Sequence, residues 1–107
     1  MAGSGFVKVA DLEELSPGEM KYVEVGDDQV LLANVEGTIY ACDNVCTHAF
    51  APLAEGGLDG EQVECPLHGS VFNVTTGEVV DPPADESLRV FQVRIEGNDI
   101  LVGPPAG

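Results

Sequence analysis

Length, composition and charge restrict what this chain can be. Its 107 residues are 44% apolar and include 13 glycines, which is typical of one turn-rich globular domain and excludes a disordered protein. The formal net charge is −15, and the interval 22–88 contains thirteen carboxylates but no lysine or arginine. Nucleic acid and anionic membranes are therefore poor partners, and a protein with a basic patch is a better one. The same acidity also suits a protein that only has to stay soluble or that comes from a salt-tolerant organism, and the two interpretations are compatible.

The termini and the apolar runs predict a location. No apolar run is long enough for a membrane-spanning helix, and residues 1–5 carry no basic residue ahead of an apolar core. We therefore expect a cytoplasmic protein without a secretion signal or a membrane anchor.

The first half of the chain is typical of short strands separated by turns. Apolar patterning predicts four strands, over 6–10, 20–25, 29–35 and 38–42. The third of them is apolar almost throughout, which indicates a buried strand. One helical turn is expected between the first two strands, with Asp11 as its cap.

The second half contains shorter apolar stretches and more glycine and proline. We expect a tight glycine-rich turn at 56–60, one short strand at 62–64 and two more within 72–80. A rigid proline connector at 81–84 leads to a final hairpin of 88–95 with 99–102, and a loose tail covers 103–107. The chain has no repeats and no linker, so we expect a single domain over 1–107. Periodicity alone supports an all-β fold of many short strands.

Both histidines of the chain stand beside a cysteine. Cys46 and His48 form one pair, Cys65 and His68 form another, and sixteen residues separate the two pairs. Two loops brought face to face could direct all four side chains to one point, which indicates a metal. Two thiolates and two imidazoles suit either a zinc ion or a two-iron, two-sulfide cluster. Zinc sites usually pair cysteine with cysteine and histidine with histidine, so the mixed pairs favour the cluster.

This pattern, with Pro66, Gly69 and Ser70 beside the second pair, resembles the ligand motif of Rieske [2Fe–2S] proteins. The chain is similar over most of its length to soluble Rieske-type ferredoxins that serve bacterial aromatic ring-hydroxylating dioxygenases. The resemblance implies an antiparallel β-sandwich or partly open barrel with a small cluster-binding subdomain over about 43–74. It also implies one cluster per chain, with Cys46 and Cys65 on one iron and His48 and His68 on the other.

Further positions matching the family imply the redox behaviour. Ser70 matches a serine that donates to a bridging sulfide, and Pro82 and Pro83 resemble a loop that covers one side of the cluster. The two cysteines that form a disulfide in membrane-complex relatives are matched by Ala51 and Leu67. A tyrosine that donates to a ligand sulfur is matched by a phenylalanine at position 72. Fewer donors stabilise the reduced cluster less, so we expect a potential near the low end of the Rieske range.

The resemblance also implies a function. We expect a monomeric one-electron carrier, itself not an enzyme, that takes electrons from a flavin-containing NAD(P)H-dependent ferredoxin reductase and delivers them to a terminal oxygenase. One alternative is a Rieske small subunit or redox-sensing module of another enzyme, such as a nitrite-reductase-like complex. A structural zinc module is a minor alternative. Cys42 is expected to be a small packed residue.

Overall fold

The structure is a computed structural model that describes residues 5–47, 51–67, 69–82, 84 and 86–105. Its regular elements are almost all strands, as the sequence predicted. Ten strands are present in the described part of the chain: β1 (Val7–Asp11), β2 (Met20–Val25), β3 (Asp28–Val35), β4 (Thr38–Asp43), β5 (Gly57–Asp59), β6 (Gln62–Glu64), β7 (Val71–Asn73), β8 (Val79–Asp81), β9 (Val90–Glu96) and β10 (Asp99–Pro105).

Six strands form one antiparallel sheet in the order β1-β10-β9-β4-β3-β2. Its edge strands β1 and β2 lie close to each other, so the sheet curls into a partly open barrel. A 3-10 turn, Leu12–Glu14, connects these edges, and the Glu14 carboxylate accepts the backbone N–H of Asp11, 3.1 Å away. The expected barrel and its helical turn are both confirmed.

The other four strands form a small antiparallel sheet in the order β5-β6-β7-β8. It is inserted between β4 and β9, which pair with each other in the large sheet through Ala41 with Phe91 and Cys42 with Val90. The segment 43–74 assigned to the cluster subdomain covers β5 to β7, and β8 extends the small sheet to Asp81.

Strand β3 is shared by two hydrophobic cores because successive side chains of a strand point to opposite faces. Val30 and Leu32 pack inside the barrel, whereas Leu31 and Ala33 pack beneath the small sheet. All four side chains are buried. The continuous apolar run of the sequence is therefore a strand that is covered on both faces.

Two local expectations are wrong. The glycine-rich stretch after residue 56 contains a strand, β5, because the tight turn falls later, around Gly60, whose φ is 62°. The expected loose tail contains the end of β10, in which Pro105 pairs with Phe91. Gly103 is buried there because the ring of Phe6 occupies the space that a side chain would need. Within the described residues, no helix is long and apolar enough to cross a membrane.

Candidate metal centre

The loop that carries Cys46 is closed by backbone hydrogen bonds. Strand β4 leads into it, and the N–H of Leu53 donates to the carbonyl of Asn44 over 2.6 Å. Closer to the tip, the N–H of Cys46 donates to the carbonyl of Ala51 over 2.9 Å. His48 lies between these last two residues in sequence and is outside the described residues. The Cys46 loop is thus a narrow hairpin, and the hydrogen bond made by Cys46 is the one nearer its tip.

Asn44 fastens the base of this hairpin and was missed by sequence reasoning. Its side chain is buried, and its Oδ1 accepts the backbone N–H of Ala54 over 2.9 Å. The backbone N–H of Asn44 donates to the carbonyl of Gln29 over 3.0 Å, which connects the hairpin to the barrel. An asparagine directly after a strand is typical of such backbone bonding, and that signal was available.

The loop that carries Cys65 is closed in the same manner. Strand β6 leads into it, and the N–H of Cys65 donates to the carbonyl of Ser70 over 2.7 Å. The N–H of Gly69 donates back to the carbonyl of Cys65 over 3.3 Å. Gly69 has a φ of 78°, a conformation that glycine adopts without strain. His68 falls inside this closure in sequence and lies outside the described residues.

Ser70 is fully buried behind the Cys65 loop. Its Oγ accepts the backbone N–H of Ala84 over 2.9 Å. A hydroxyl has one proton to donate in addition to the bonds it accepts, so this contact leaves the Ser70 proton available for a sulfur acceptor.

The two cysteines of the motif are buried in one apolar core. Cys46 is 0% and Cys65 is 2% exposed, and both belong to the core beneath the small sheet, together with Phe72. All three cysteines of the chain are thiols outside any disulfide. Two buried sulfurs carried by two closed loops fit a metal cluster with thiolate ligands.

Cys42 lies in the same core but in a different chemical situation. Burial raises the pKa of its thiol to about 12, and the neighbouring Asp43 carboxylate adds to the effect. A thiol with such a pKa stays protonated and unreactive at neutral pH. The prediction of a small packed residue agrees with its 1% exposure.

The positions on which the expected low reduction potential depends differ in their exposure to solvent. Phe72 is fully buried and brings no hydroxyl to the core. Ala51 is 9% exposed, whereas Leu67 is 60% exposed and extends from the Cys65 loop into solvent. Pro82 is also exposed, and Pro83 lies outside the described residues.

A cation anchors the base of the Cys46 loop. Asp43 accepts a forked pair of bonds from Arg89, with Nη2 to Oδ1 at 2.8 Å and Nε to Oδ2 at 3.2 Å. Arg89 Nη2 also lies 3.1 Å from Asp28 Oδ1. These carboxylates raise the pKa of the guanidinium, Asp43 having the larger effect.

Comparisons with known proteins identify the family of this chain. The model of the Rieske [2Fe-2S] domain family matches residues 5–92. The chain is 45% identical over 98 residues to the biphenyl dioxygenase ferredoxin subunit of Pseudomonas sp. (strain KKS102), covering 91% of this chain and 90% of that protein.

Two solved structures have the same fold. The ferredoxin of carbazole 1,9a-dioxygenase from Nocardioides aromaticivorans IC177 matches with a TM-score of 0.90 and 37% identity, over 94% of this chain and 99% of that chain. A chain in a complex of reduced oxygenase and oxidised ferredoxin in carbazole 1,9a-dioxygenase matches with a TM-score of 0.88 and 36% identity, over 94% of each chain.

These matches decide between the two metals that the ligand types allowed. The family model covers most of the chain and includes both Cys/His pairs, so the zinc alternative is wrong. This chain belongs to the Rieske [2Fe-2S] family, and its cofactor is a Rieske-type [2Fe–2S] cluster.

Proposed function

We propose that this chain is the ferredoxin component of an aromatic ring-hydroxylating dioxygenase system. It carries one electron at a time from a flavin-dependent NAD(P)H reductase to the terminal oxygenase and is not itself an enzyme. The observation that carries the proposal is the near full-length match, at 45% identity, to a dioxygenase ferredoxin subunit. The match to a chain in an oxygenase–ferredoxin complex supports the oxygenase as a partner.

The proposed ligands are the two Cys/His pairs. Cys46 and Cys65 hold one iron, and His48 and His68 hold the other. The burial of both thiols supports the cysteine assignments, and the position of each histidine in sequence inside a closed loop supports the others. When bound, a Rieske cluster supplies reversible one-electron chemistry at about −150 to +300 mV.

The residues around these ligands favour the low end of that range. Two thiolates and two neutral imidazoles leave less negative charge on the site than four thiolates would, which places the whole Rieske range above the potentials of all-cysteine clusters; the position within the range depends on the hydrogen-bond donors around the ligands. Ser70 supplies one hydroxyl proton, and Phe72 supplies none where related proteins have a tyrosine hydroxyl. The Ser70 proton is therefore the side-chain donor that we assign to the cluster.

The surface beside the Cys65 loop suits brief docking. Pro66 and Leu67 are exposed, and Pro82 is exposed on the neighbouring segment. Contacts through a small apolar patch that surrounds a redox centre allow close approach and rapid release. We propose that both partners approach this end of the molecule and that the carrier works as a monomer.

The charge of the surface selects the kind of partner. Each of the four basic residues lies in an ion pair with a carboxylate: Lys8 with Asp11 and Asp99, Lys21 with Glu14, Arg89 with Asp28 and Asp43, and Arg94 with Glu96. The remaining carboxylates give the surface a strongly negative field. Partners with a basic patch around their own redox centre are therefore favoured, because complementary fields raise association rates.

The test is reconstitution. The purified holoprotein should couple NADH oxidation to dihydroxylation of an aromatic compound when it is mixed with a ferredoxin reductase and a ring-hydroxylating oxygenase. His48→Ala and His68→Ala should each abolish the coupling and the Rieske electron paramagnetic resonance signal. Cys42→Ala is the matched control and should retain both. A normal Rieske signal in either histidine variant would show that this ligand is misassigned.

Purification distinguishes the alternative function. A Rieske small subunit of another redox enzyme would remain tightly bound to its catalytic chain, whereas a shuttling carrier elutes alone. Copurification with a catalytic chain, together with failure to couple in the reconstituted system, would overturn the proposal.

A further inference from the structure

A short segment between the small sheet and β9, described at Ala84 and at 86–89, contacts both cysteine-bearing loops. We call it the strap. At its start, the N–H of Ala84 donates to Ser70 Oγ, the buried hydroxyl behind the Cys65 loop. In its middle, the carbonyl of Glu86 accepts a bond from Thr47 Oγ1 over 2.8 Å. Thr47 follows Cys46 directly, so one short segment is bonded to both halves of the site.

The strap is also fastened to the small sheet. The N–H of Leu88 donates to the carbonyl of Gly77 over 2.8 Å. Gly77 packs so closely on Leu88 that a Cβ at residue 77 would overlap the Leu88 carbonyl oxygen. Leu88 itself is buried, which keeps the strap in the core beneath the small sheet.

Arg89 ends the strap and joins it to Asp43, the last residue of β4. In addition to the forked side-chain contact, the N–H of Arg89 donates to Asp43 Oδ2 over 2.8 Å. The N–H of Asp43 donates to the carbonyl of Arg89 over 3.0 Å. The Asp43 side chain is 18% exposed and the Arg89 side chain is 52% exposed, so water reaches the guanidinium but competes less at the carboxylate than in a fully exposed ion pair.

The contact between Arg89 and Asp43 lies beside the Cys46 loop. Arg89, Asp43, Thr47 and Cys46 line a single depression with a volume of about 390 Å³. Asp43 stands three residues before Cys46 in the chain, so any movement of its backbone moves the base of the loop. The bonds to Arg89 oppose that movement.

We propose that Arg89 is a positioning residue for the cluster, and that its forked guanidinium holds Asp43 so that the Cys46 loop keeps its position relative to the strap and the Cys65 loop. The inference rests on the ligand assignment under Proposed function. Arginine suits the task because its planar donors match a carboxylate in two places, whereas lysine supplies a point charge of the same sign.

The chain offers a matched control on β9, the strand that begins directly after Arg89. Arg94 pairs with Glu96 at 3.5 Å, with side chains 48% and 56% exposed, and its guanidinium lies 4.4 Å from the ring centre of Phe6. It has the same charge as Arg89, and Arg89 likewise stacks on a ring, that of Phe91, at 5.2 Å. Arg94 stands near the opposite end of β9, away from the Cys46 loop.

The experiment compares Arg89→Gln, Arg89→Lys, Arg94→Gln and Arg94→Lys as holoproteins. The rate at which excess chelator bleaches the visible absorption reports cluster retention, and the electron paramagnetic resonance line width reports the uniformity of its environment. We expect Arg89→Gln to bleach roughly tenfold faster than the wild type, with broader lines, as is typical when a residue supporting a metal ligand is lost. Arg94→Gln should match the wild type in both readouts, and Arg89→Lys should stay close to Arg89→Gln because it lacks the fork.

Three results would overturn the inference. Equal bleaching rates in Arg89→Gln and Arg94→Gln would show an ordinary solvated ion pair. Wild-type behaviour of Arg89→Lys would show that only charge matters. If Arg89→Gln does not fold, equal behaviour of Arg89→Lys and Arg94→Lys would decide against the inference in the same way. None of these results bears on the ligand assignment, which fails only if a histidine variant retains a normal Rieske signal.

Discussion

Gly56 lies against the backbone carbonyl of Glu64 so closely that a Cβ atom on residue 56 would overlap the carbonyl oxygen. Gly56 ends the 3-10 turn Leu53–Glu55 that follows the Cys46 loop, and Glu64 is the residue before Cys65. The contact therefore sets the separation between the two loops. Backbone meets backbone here, so a side chain cannot be accommodated by a rotamer change.

Gly56→Ala should consequently destabilise the protein and lower its cluster content. We expect a loss of about 1–3 kcal/mol in the free energy of unfolding, the usual cost of forcing extra atoms into a packed site. Urea unfolding and the iron content per chain measure the two effects. Gly57→Ala is the control, because a Cβ there meets no atom within 4 Å. Equal stability and iron content in the two variants would contradict the prediction.

Ser70→Ala should lower the reduction potential. The variant removes the hydroxyl proton assigned to the cluster, and a hydrogen bond stronger by about 1 kcal/mol in the reduced state corresponds to about 40 mV for one electron. It also leaves the N–H of Ala84 without its acceptor, so stability should fall by about 1–3 kcal/mol. A redox titration and urea unfolding measure these changes. Ser87→Ala, at an exposed position of the strap, should change neither quantity, and an unchanged or higher potential in Ser70→Ala would refute the assignment.

Cys42 should make the protein less stable at alkaline pH. Its pKa is raised from 9.0 to about 12 by burial, so between these values the thiol ionises in the unfolded chain but stays protonated in the folded one. Unfolding then releases a proton, and stability falls by up to about 1.4 kcal/mol per pH unit as the pH rises through this window. Below pH 9 the contribution is fully present. Urea unfolding at pH 8, 9 and 10 measures it, and Cys42→Ala should show a shallower decline. Parallel declines in the two proteins would contradict the assignment to Cys42.

Reversal of carboxylates on the small sheet should slow electron delivery to the oxygenase. Asp59→Lys and Glu61→Lys each change an exposed charge on the β5–β6 hairpin without touching a proposed ligand. Because steering acts on encounter, the second-order rate at low ionic strength should fall severalfold, while the reduction potential stays nearly constant. Stopped-flow mixing with the oxygenase measures the rate.

The control for this prediction lies at the other end of the barrel. Glu13→Lys makes the same change of charge at an exposed residue of the turn between β1 and β2, and it should have a much smaller effect. Equal rates in all variants at low salt would show that these carboxylates serve solubility and not docking. Asp43 is also acidic and lies at the base of the Cys46 loop, but it is unsuitable for this charge reversal because Arg89 binds it.

Much of the barrel could be predicted from the sequence because it depends on local patterning. Strands β2, β3 and β4 were placed to within a residue or two, since each has enough apolar residues to stand out between turn residues. Strand β5 was missed because it has three residues and starts with Gly57, and glycine has a low strand propensity. The end of β10 was missed because two prolines argue against a strand, although an irregular pairing near Val102 accommodates them.

The candidate site, like the fold, could be predicted only where the signal is local in the sequence. The Cys/His spacing indicated the family because four ligands of two types at fixed separations are a local signal. The bonds that hold the loops are not local: Thr47 meets Glu86 across 39 residues, and Asp43 meets Arg89 across 46. One sequence contains no signal for such pairs. Asn44 is an intermediate case, because its position after a strand suggested a capping role but not its partners.

The insertion of the small sheet between two strands that are already neighbours has a consequence for engineering. Because Cys42 pairs with Val90, the chain leaves the barrel and returns to it at almost the same point. The segment 43–89, with Asp43 and Arg89 bonded at its two ends, is therefore a module that could be grafted into a hairpin of another antiparallel barrel. The host would have to provide an apolar outer face like that of Leu31 and Ala33, since the module has no complete core of its own.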